Sequence, residues 1–266
     1  MTRQLLWRGM LAGILGALLA TLFARGFAEP QIDLAIGYEE DHAAHGALPD
    51  HPAPDHPAPD HAGMAMASAP LAHPHPADEE ELVSRDTQKG AGLVTALALY
   101  GAAVGGIFSL VFAYGYGRMG HLGPRSFALL LAALTFVLVV VVPAIKYPQT
   151  PPAVGKHETV ALRTAAYFGM IALSLGAAVV AGRLRGRLAR PGRGFDATLL
   201  AFVVYLGMVG LGQFLLPAIN EVPADFPAVL LWNFRLASMG TQLVLWATIG
   251  LAFGLWAERV LRRQSA

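Results

Sequence analysis

The sequence predicts an all-α, polytopic membrane protein of about six transmembrane helices, with one long, largely disordered external loop. Three observations predict it. The chain is 55% hydrophobic and only 14% charged, against roughly 25% charge in soluble domains, and its mean hydropathy is +0.50. Six separate stretches reach the ~20 apolar residues that a spanning helix needs. A single polar island, residues 41–81, interrupts them and holds seven of the nine histidines.

The six stretches run over residues 5–27, 90–116, 124–145, 164–182, 197–216 and 230–256. Helix breakers separate them. Pro124 suits a first helical turn, and Pro191-Gly192 marks a turn. Pro143, Pro148, Pro151 and Pro152 break one connection; Pro217, Pro223 and Pro227 break another. Arg3, Arg8 and the apolar run up to Gly26-Phe27-Ala28 also fit a secretory signal, but the run exceeds the usual h-region of about 7–15 residues. Residues 1–27 are therefore expected to be retained as the first span. Residues 28–89 follow as the loop, 90–258 as a five-span helical membrane domain, and 259–266 as a tail.

Lysine and arginine in short connections set orientation. Arg3 and Arg8, then Arg118 and Arg125, then Arg183, Arg185, Arg187, Arg190 and Arg193, then Arg259, Arg262 and Arg263 alternate along the chain so that all fall on one side of six spans. All the acids except Asp196 and Glu258 fall on the other side. Both termini are therefore expected in the cytoplasm of a bacterial cell, with the chain in the inner membrane and residues 28–89 periplasmic or external. The arginine-rich fourth connection would also touch anionic lipid.

Within the loop, Asp50-His51-Pro52-Ala53-Pro54 repeats as Asp55-His56-Pro57-Ala58-Pro59 and restarts at Asp60-His61. Proline at this density blocks helix and central strand. After a turn or two of amphipathic structure at residues 31–40, the segment is expected to stay disordered or polyproline-like. From residue 29 to 89 it carries 13 acids against 2 bases. Imidazole suits zinc, copper, nickel and cobalt, and carboxylate suits harder ions. His42, His45, His51, His56, His61, His73 and His75, with Asp50, Asp55 and Asp60, are the candidate metal ligands. His51, His56 and His61 would lie about 15 Å apart on an extended chain, so the repeat offers several weak sites or one site after chain reversal. A disordered segment spends ordering entropy on binding, which suits a gathering device better than a transport site. The plain alternative is a solvated acidic linker. With no cysteine in the chain, thiolate zinc sites, disulfides and iron–sulfur clusters are excluded.

Polar residues at the ends of spans form a second set. Glu29, Glu221 and Asp225 are candidates for an acidic external vestibule, and Asn220, Gln213 and Gln242 for a pathway; interfacial anchoring and helix–helix hydrogen bonding are the competing roles. Arg235 is expected near the interface. Gly9/Gly13, Gly101/Gly105 and Gly250/Gly254 are spaced for close helix packing. No phosphate-binding glycine loop, H-E-x-x-H or G-x-S-x-G occurs, so neither an ATPase nor those hydrolases are supported. The chain is not expected to be an enzyme, to bind nucleic acid or to hold a permanent cofactor.

An internal echo links two connections. Pro143-Ala144-Ile145-Lys146-Tyr147-Pro148 followed by Pro152-Ala153-Val154 is similar to Pro217-Ala218-Ile219-Asn220-Glu221-Val222-Pro223 followed by Pro227-Ala228-Val229. An arginine follows each, Arg163 and Arg235. Two hairpins running in the same direction would be parallel repeats about an axis along the membrane normal. Glu29-Pro30 and Arg85 suggest a third, expanded copy.

Several stretches resemble the CbtA family: Arg8-Gly9-Met10-Leu11-Ala12-Gly13, Phe27-Ala28-Glu29-Pro30, Glu80-Glu81-Leu82-Val83-Ser84-Arg85, Lys146-Tyr147-Pro148 with Pro151-Pro152-Ala153-Val154-Gly155, and Asn220-Glu221-Val222-Pro223-Ala224-Asp225-Phe226-Pro227 through Trp232-Asn233-Phe234-Arg235. The likeness spans nearly all of the chain outside residues 43–77, where the Asp-His-Pro repeat is longer than the family's usual loop. It implies a cobalt transporter subunit linked to cobalamin biosynthesis, working with a small one-span CbtB partner that bears histidines. The residue chemistry alone reaches a divalent transition metal, with nickel and zinc alongside cobalt(II). The combined expectation is a membrane subunit for cobalt uptake whose loop gathers the ion; the alternative is a non-transporting scaffold or metal-delivery partner of another permease.

Overall fold

The computed structural model describes residues 2–46, 93–118, 122–152, 154–155, 157–189 and 193–265. Among them every regular element is helical: α1 (Thr2–Phe27), α2 (Glu29–Gly46), α3 (Leu93–Gly115), α4 (Pro124–Lys146), α5 (Val160–Leu188), α6 (Gly194–Leu215) and α7 (Ala228–Ser265). All but α2 are long and apolar enough to cross a membrane. Their outer surfaces are apolar as well: Leu22, Phe168, Phe195, Phe202, Phe214 and Trp232 all stand exposed. A water-soluble monomer rarely exposes more than a few hundred Å² of contiguous apolar surface; lipid is the solvent that fits these helices.

Glycine sets the closest approaches. A Cβ on Gly101 would lie 2.5 Å from the Gly13 carbonyl oxygen, and one on Gly13 would lie 2.9 Å from Gly105 Cα, so α1 and α3 touch backbone to backbone. Gly16 meets Leu245 and Ile249 of α7, and Gly240 receives the ring of Phe23. Gly250 and Gly254 of α7 rest against Ala132 and Ala128 of α4. Phe108, Phe112, Phe127, Ile249 and Phe253 fill the core of this four-helix body, with the Phe253 ring edge-on to Phe112 and Phe108 at 4.9 and 5.5 Å.

A second, smaller core joins α5 and α6 to the end of α4: Val142, Tyr147, Ala166, Met170, Ala177 and Val209. The Ser174 and Tyr205 hydroxyls meet at 3.1 Å inside it. Helix α4 thus belongs to both bodies, and it changes form between them. Residues Phe136–Val141 make a π-helical turn. Pro143 supplies the cause: it has no N–H, and its ring would strike the carbonyl four residues back in a regular helix. The wider turn removes the collision, and the Val142 N–H bonds the Val137 carbonyl five residues back.

The two hairpins interlock. Outgoing α4 packs on α7, the return of the other hairpin, and outgoing α6 packs on α5, the return of the first. This crossed pairing is the one that two parallel repeats about an axis along the membrane normal would make. In the first hairpin α1 packs both on α3, its own return, and on α7.

Three sequence expectations change in extent. Residues 29–46 are one continuous helix, α2, and not a turn or two. Pro30 in its first turn and Glu29 beside its N-terminal N–H groups favour that start. The tail is the continuation of α7, where Ala257 and Val260 are buried and Arg262 donates to Glu258 at 3.0 Å. Arg183, Arg185 and Arg187 sit on the last turns of α5, where cations favour the helix dipole. Arg190 and Pro191-Gly192 lie outside the described residues.

Candidate functional site

At the end of the bundle away from the termini, α2 lies over the α4–α5 connection (147–159) and the α6–α7 connection (216–227). Ala35 of α2 is fully buried and packs with Val154 and Phe226, flanked by Tyr38 and Val222. Ala35, Tyr38 and His42 follow the three- and four-residue steps that put side chains on one helix face. The Tyr38 ring meets Phe226 edge-on at 5.1 Å and His42 at 4.2 Å.

Both connections are tied across to each other. Tyr147 donates from Oη to the Pro217 carbonyl at 2.8 Å. Lys146 donates from Nζ to the Gln213 carbonyl, and Gln213 donates from Nε2 to the Val142 carbonyl at 3.2 Å. Arg163, near the start of α5, donates from Nη1 to Glu221 Oε2 at 2.7 Å, while Thr159 donates to the other oxygen. Arg235, near the start of α7, donates from Nε to the Gln149 carbonyl at 3.3 Å. Each of the echoed arginines therefore reaches the other hairpin's connection. Gly155, at φ +150°, lets the chain pass this pair: a Cβ there would lie 2.6 Å from Arg163 Nη1 and 3.3 Å from Glu221 Oε2. A pocket of about 230 Å³ opens beside it, lined by Thr150, Pro151, Val154 and Arg163 among others.

The predicted site residues fall unequally. Glu221 is 7% exposed and its charge is matched by Arg163. Asp225 is exposed and stands 3.5 Å from His42 Nε2. The Tyr38 hydroxyl, the residue's own backbone N–H and His42 together hold the Asp225 carboxyl below its usual range. Desolvation and then the Asp225 carboxylate raise the Tyr38 phenol. That hydroxyl is buried and faces the carboxylate without making a hydrogen bond of good geometry among the described residues. Glu29 is exposed in the first turn of α2. Asn220 is exposed and accepts the Val222 N–H at 3.3 Å, closing a local turn. Gln242 is half-buried on α7. His45 falls in α2, three residues after His42. His51, His56, His61, His73, His75, Asp50, Asp55 and Asp60 lie outside the described residues. Among the described residues no three or more His, Asp or Glu side chains converge as a metal-binding group.

Sequence reasoning missed Thr159 and Tyr38 as partners of the acids, and it placed Arg163 only as an echo. The echo was the available signal for Arg163; the Ala35, Tyr38, His42 spacing was the signal for Tyr38. On the opposite face the groups are simpler. Arg125 and Arg262 pair with Glu258, and Arg185 Nε donates to Thr198 Oγ1 at 2.9 Å.

A family described as probable cobalt transporter subunit (CbtA) matches the chain over residues 2–258. No curated protein and no solved structure matches it.

Proposed function

The chain belongs to the CbtA family of probable cobalt transporter subunits, and on that premise we propose that it is the membrane body through which cobalt(II) enters the cell. The face that carries α2 and the two tied connections is external, and the termini are cytoplasmic in the bacterial inner membrane. The His/Asp repeat, from His42 through His75 with Asp50, Asp55 and Asp60, raises the local ion concentration. Glu29 and Asp225 draw the ion to the connections, and Asn220, Gln213 and Gln242 line the way inward. Glu221 accepts the ion only when Arg163 swings away, because one carboxylate cannot neutralise both. A doubly charged ion moving fully inward gains about 4.6 kcal/mol per 100 mV of membrane potential. A small one-span subunit of the CbtB kind would complete the system, and nickel or zinc would compete with cobalt.

The observation that carries this reading is the gathering of α2, with His42 at its far end, over both connections on one face. Cobalt uptake into sealed vesicles tests it, with the intact protein compared with a deletion of residues 43–77. Uptake should fall in the deletion only at limiting metal. Equal uptake at every concentration removes the gathering role.

One observation favours the alternative role, a non-transporting scaffold or delivery partner. Four hydroxyls within the spans are engaged locally: Thr21, Thr135 and Thr241 each bond the carbonyl four residues back, and Ser109 the one three back. Uptake by the purified protein without any partner decides for the transporter; uptake only after adding a permease decides for the scaffold.

A further inference from the structure

His42 and Asp225 come from parts of the chain far apart in sequence, and the docking of α2 brings them together. Their separation is informative. At 3.5 Å the pair is too long for a good N–H···O hydrogen bond, which lies at about 2.7–3.2 Å. An exposed ion pair of this kind contributes little to stability. The separation does match two donors on one tetrahedral ion: ligand bonds of roughly 2.0–2.2 Å place neighbouring donor atoms about 3.4 Å apart. A third oxygen is close. Tyr38 occupies the helical turn before His42, and its buried hydroxyl interacts with the Asp225 carboxylate. The imidazole packs against the Tyr38 ring with centroids 4.2 Å apart and planes tilted by 48°, a contact that limits its rotation.

We propose that His42 and Asp225, with the Tyr38 hydroxyl beside them, form a transit site for one divalent transition-metal ion, where the gathering segment meets the membrane body. Nitrogen and carboxylate oxygen together suit cobalt(II), nickel(II) and zinc(II) over calcium or magnesium, which take oxygen alone. One ion held there joins α2 to the α6–α7 connection. The same connection carries Glu221 four positions before Asp225, so an ion leaving Asp225 meets the Arg163–Glu221 pair next. This site rests on the proposed direction of uptake for its role, but not for its existence.

Cobalt(II) titration of the full-length protein in micelles, followed by calorimetry and by the visible absorption of tetrahedral cobalt, tests it. The background is a variant in which His51, His56, His61, His73 and His75 are alanine, so that the repeat is silent. One ion should bind. His42→Ala and Asp225→Asn should each weaken it at least tenfold, and the double variant should be no weaker than the weaker single, because both remove the same ion. Tyr38→Phe should weaken it a few-fold and should leave unfolding unchanged. Asp225→Asn keeps size and shape, and a spin label on Gly37→Cys in that variant reports whether α2 stays docked, so a loss of binding with α2 in place belongs to the missing carboxylate. Unchanged binding in His42→Ala, or additive losses in the double variant, would overturn the site. Vesicle uptake measured in parallel separates the two ideas. Absent uptake by the intact protein, with shared-ion binding retained, removes the transport role and leaves the site standing. Normal uptake with His42→Ala binding as in the parent removes the site alone.

Discussion

The two helical bodies that share α4 are held by different forces. In the α1, α3, α4, α7 body the closest contacts are glycine against backbone or alanine, and the only fully buried hydroxyl, Ser109 among the described residues, bonds within its own helix. In the α5, α6 body the close contacts run through flexible side chains: Leu173 over the Gly212 backbone, and Ser174 with Tyr205. The second body is fastened to the first through the end of α4 and the polar ties of the connections. Lipid offers no hydrophobic drive between helices, so packing and hydrogen bonds decide association. The glycine-packed body should behave as a fixed frame. The polar-tied body has contacts that part and re-form singly, and the π turn of α4 lies where the two meet.

The largest difference should appear at the glycines. In Gly101→Leu the new side chain meets the Gly13 carbonyl and Ala17 Cβ. Neither can move without its helix, so α1 and α3 must separate. Overpacking commonly costs about 1–3 kcal/mol; here the loss should exceed about 3 kcal/mol, read as loss of folded protein in detergent. Gly212→Ala meets the free end of the Leu173 side chain, which can rotate, and should cost under about 1.5 kcal/mol. Equal losses at the two sites would erase the contrast between frame and appendage.

Next in size is the tie between Arg163 and Glu221. Removing one partner of a buried ion pair costs about 3–5 kcal/mol. Arg163 is 34% exposed, so solvent screens part of that, and Arg163→Ala should cost about 2 kcal/mol in thermal unfolding. Arg163→Ala with Glu221→Gln together should cost less than Arg163→Ala alone, because no unmatched charge remains. A more costly double variant would show that the two do not act as a pair. Smaller still is the Ser174–Tyr205 contact. Hydrogen bonds between membrane helices average about 0.6 kcal/mol, so Ser174→Ala should lower stability by about that amount and leave α1–α3 packing untouched.

The spans were readable because each is a continuous apolar run between prolines and arginines, a signal that needs no tertiary information. The π turn had its cause in view at Pro143, although the sequence does not say whether a proline kinks a helix or widens it. Helix α2 was harder. Residues 29–46 have weak apolar periodicity, with Glu39, Glu40 and Asp41 in a row, and the proline-rich repeat just beyond suggested that disorder began sooner. Its buried stripe is short, Ala35 and Tyr38, and the surface it meets comes from residues about 120 and 190 positions later. The Arg163–Glu221 pair had the same difficulty. Each residue sits in a recognisable echo, but the crossing of each arginine to the other hairpin follows from how α4, α5, α6 and α7 interlock, and that depends on helix contacts. The acids looked alike in sequence; burial and one arginine made Glu221 a structural tie and left Asp225 available.

The smallest expected effect concerns that difference between the acids, and it has a definite sign. Asp225 has a folded pKa below its ordinary carboxylate value, caused first by the Tyr38 hydroxyl, then by its own backbone N–H and by His42. A depressed carboxylate contributes stability above its unfolded pKa, near about 3.9, and loses that contribution as pH falls through the lower folded value. The groups facing it are Tyr38 and His42 on α2. The α2 contact should therefore hold from pH 7 down to about 5 and loosen only below about 4. A spin label on Gly37→Cys, a position with open space around it, should keep constant mobility over the first range and gain mobility over the second. Asp225→Asn should flatten that change. The frame gives the internal control: a label on Gly26→Cys, also in open space at the end of α1, should show no such step. If both labels loosened together, acid would be acting on the whole bundle, and the docking of α2 would not depend on Asp225.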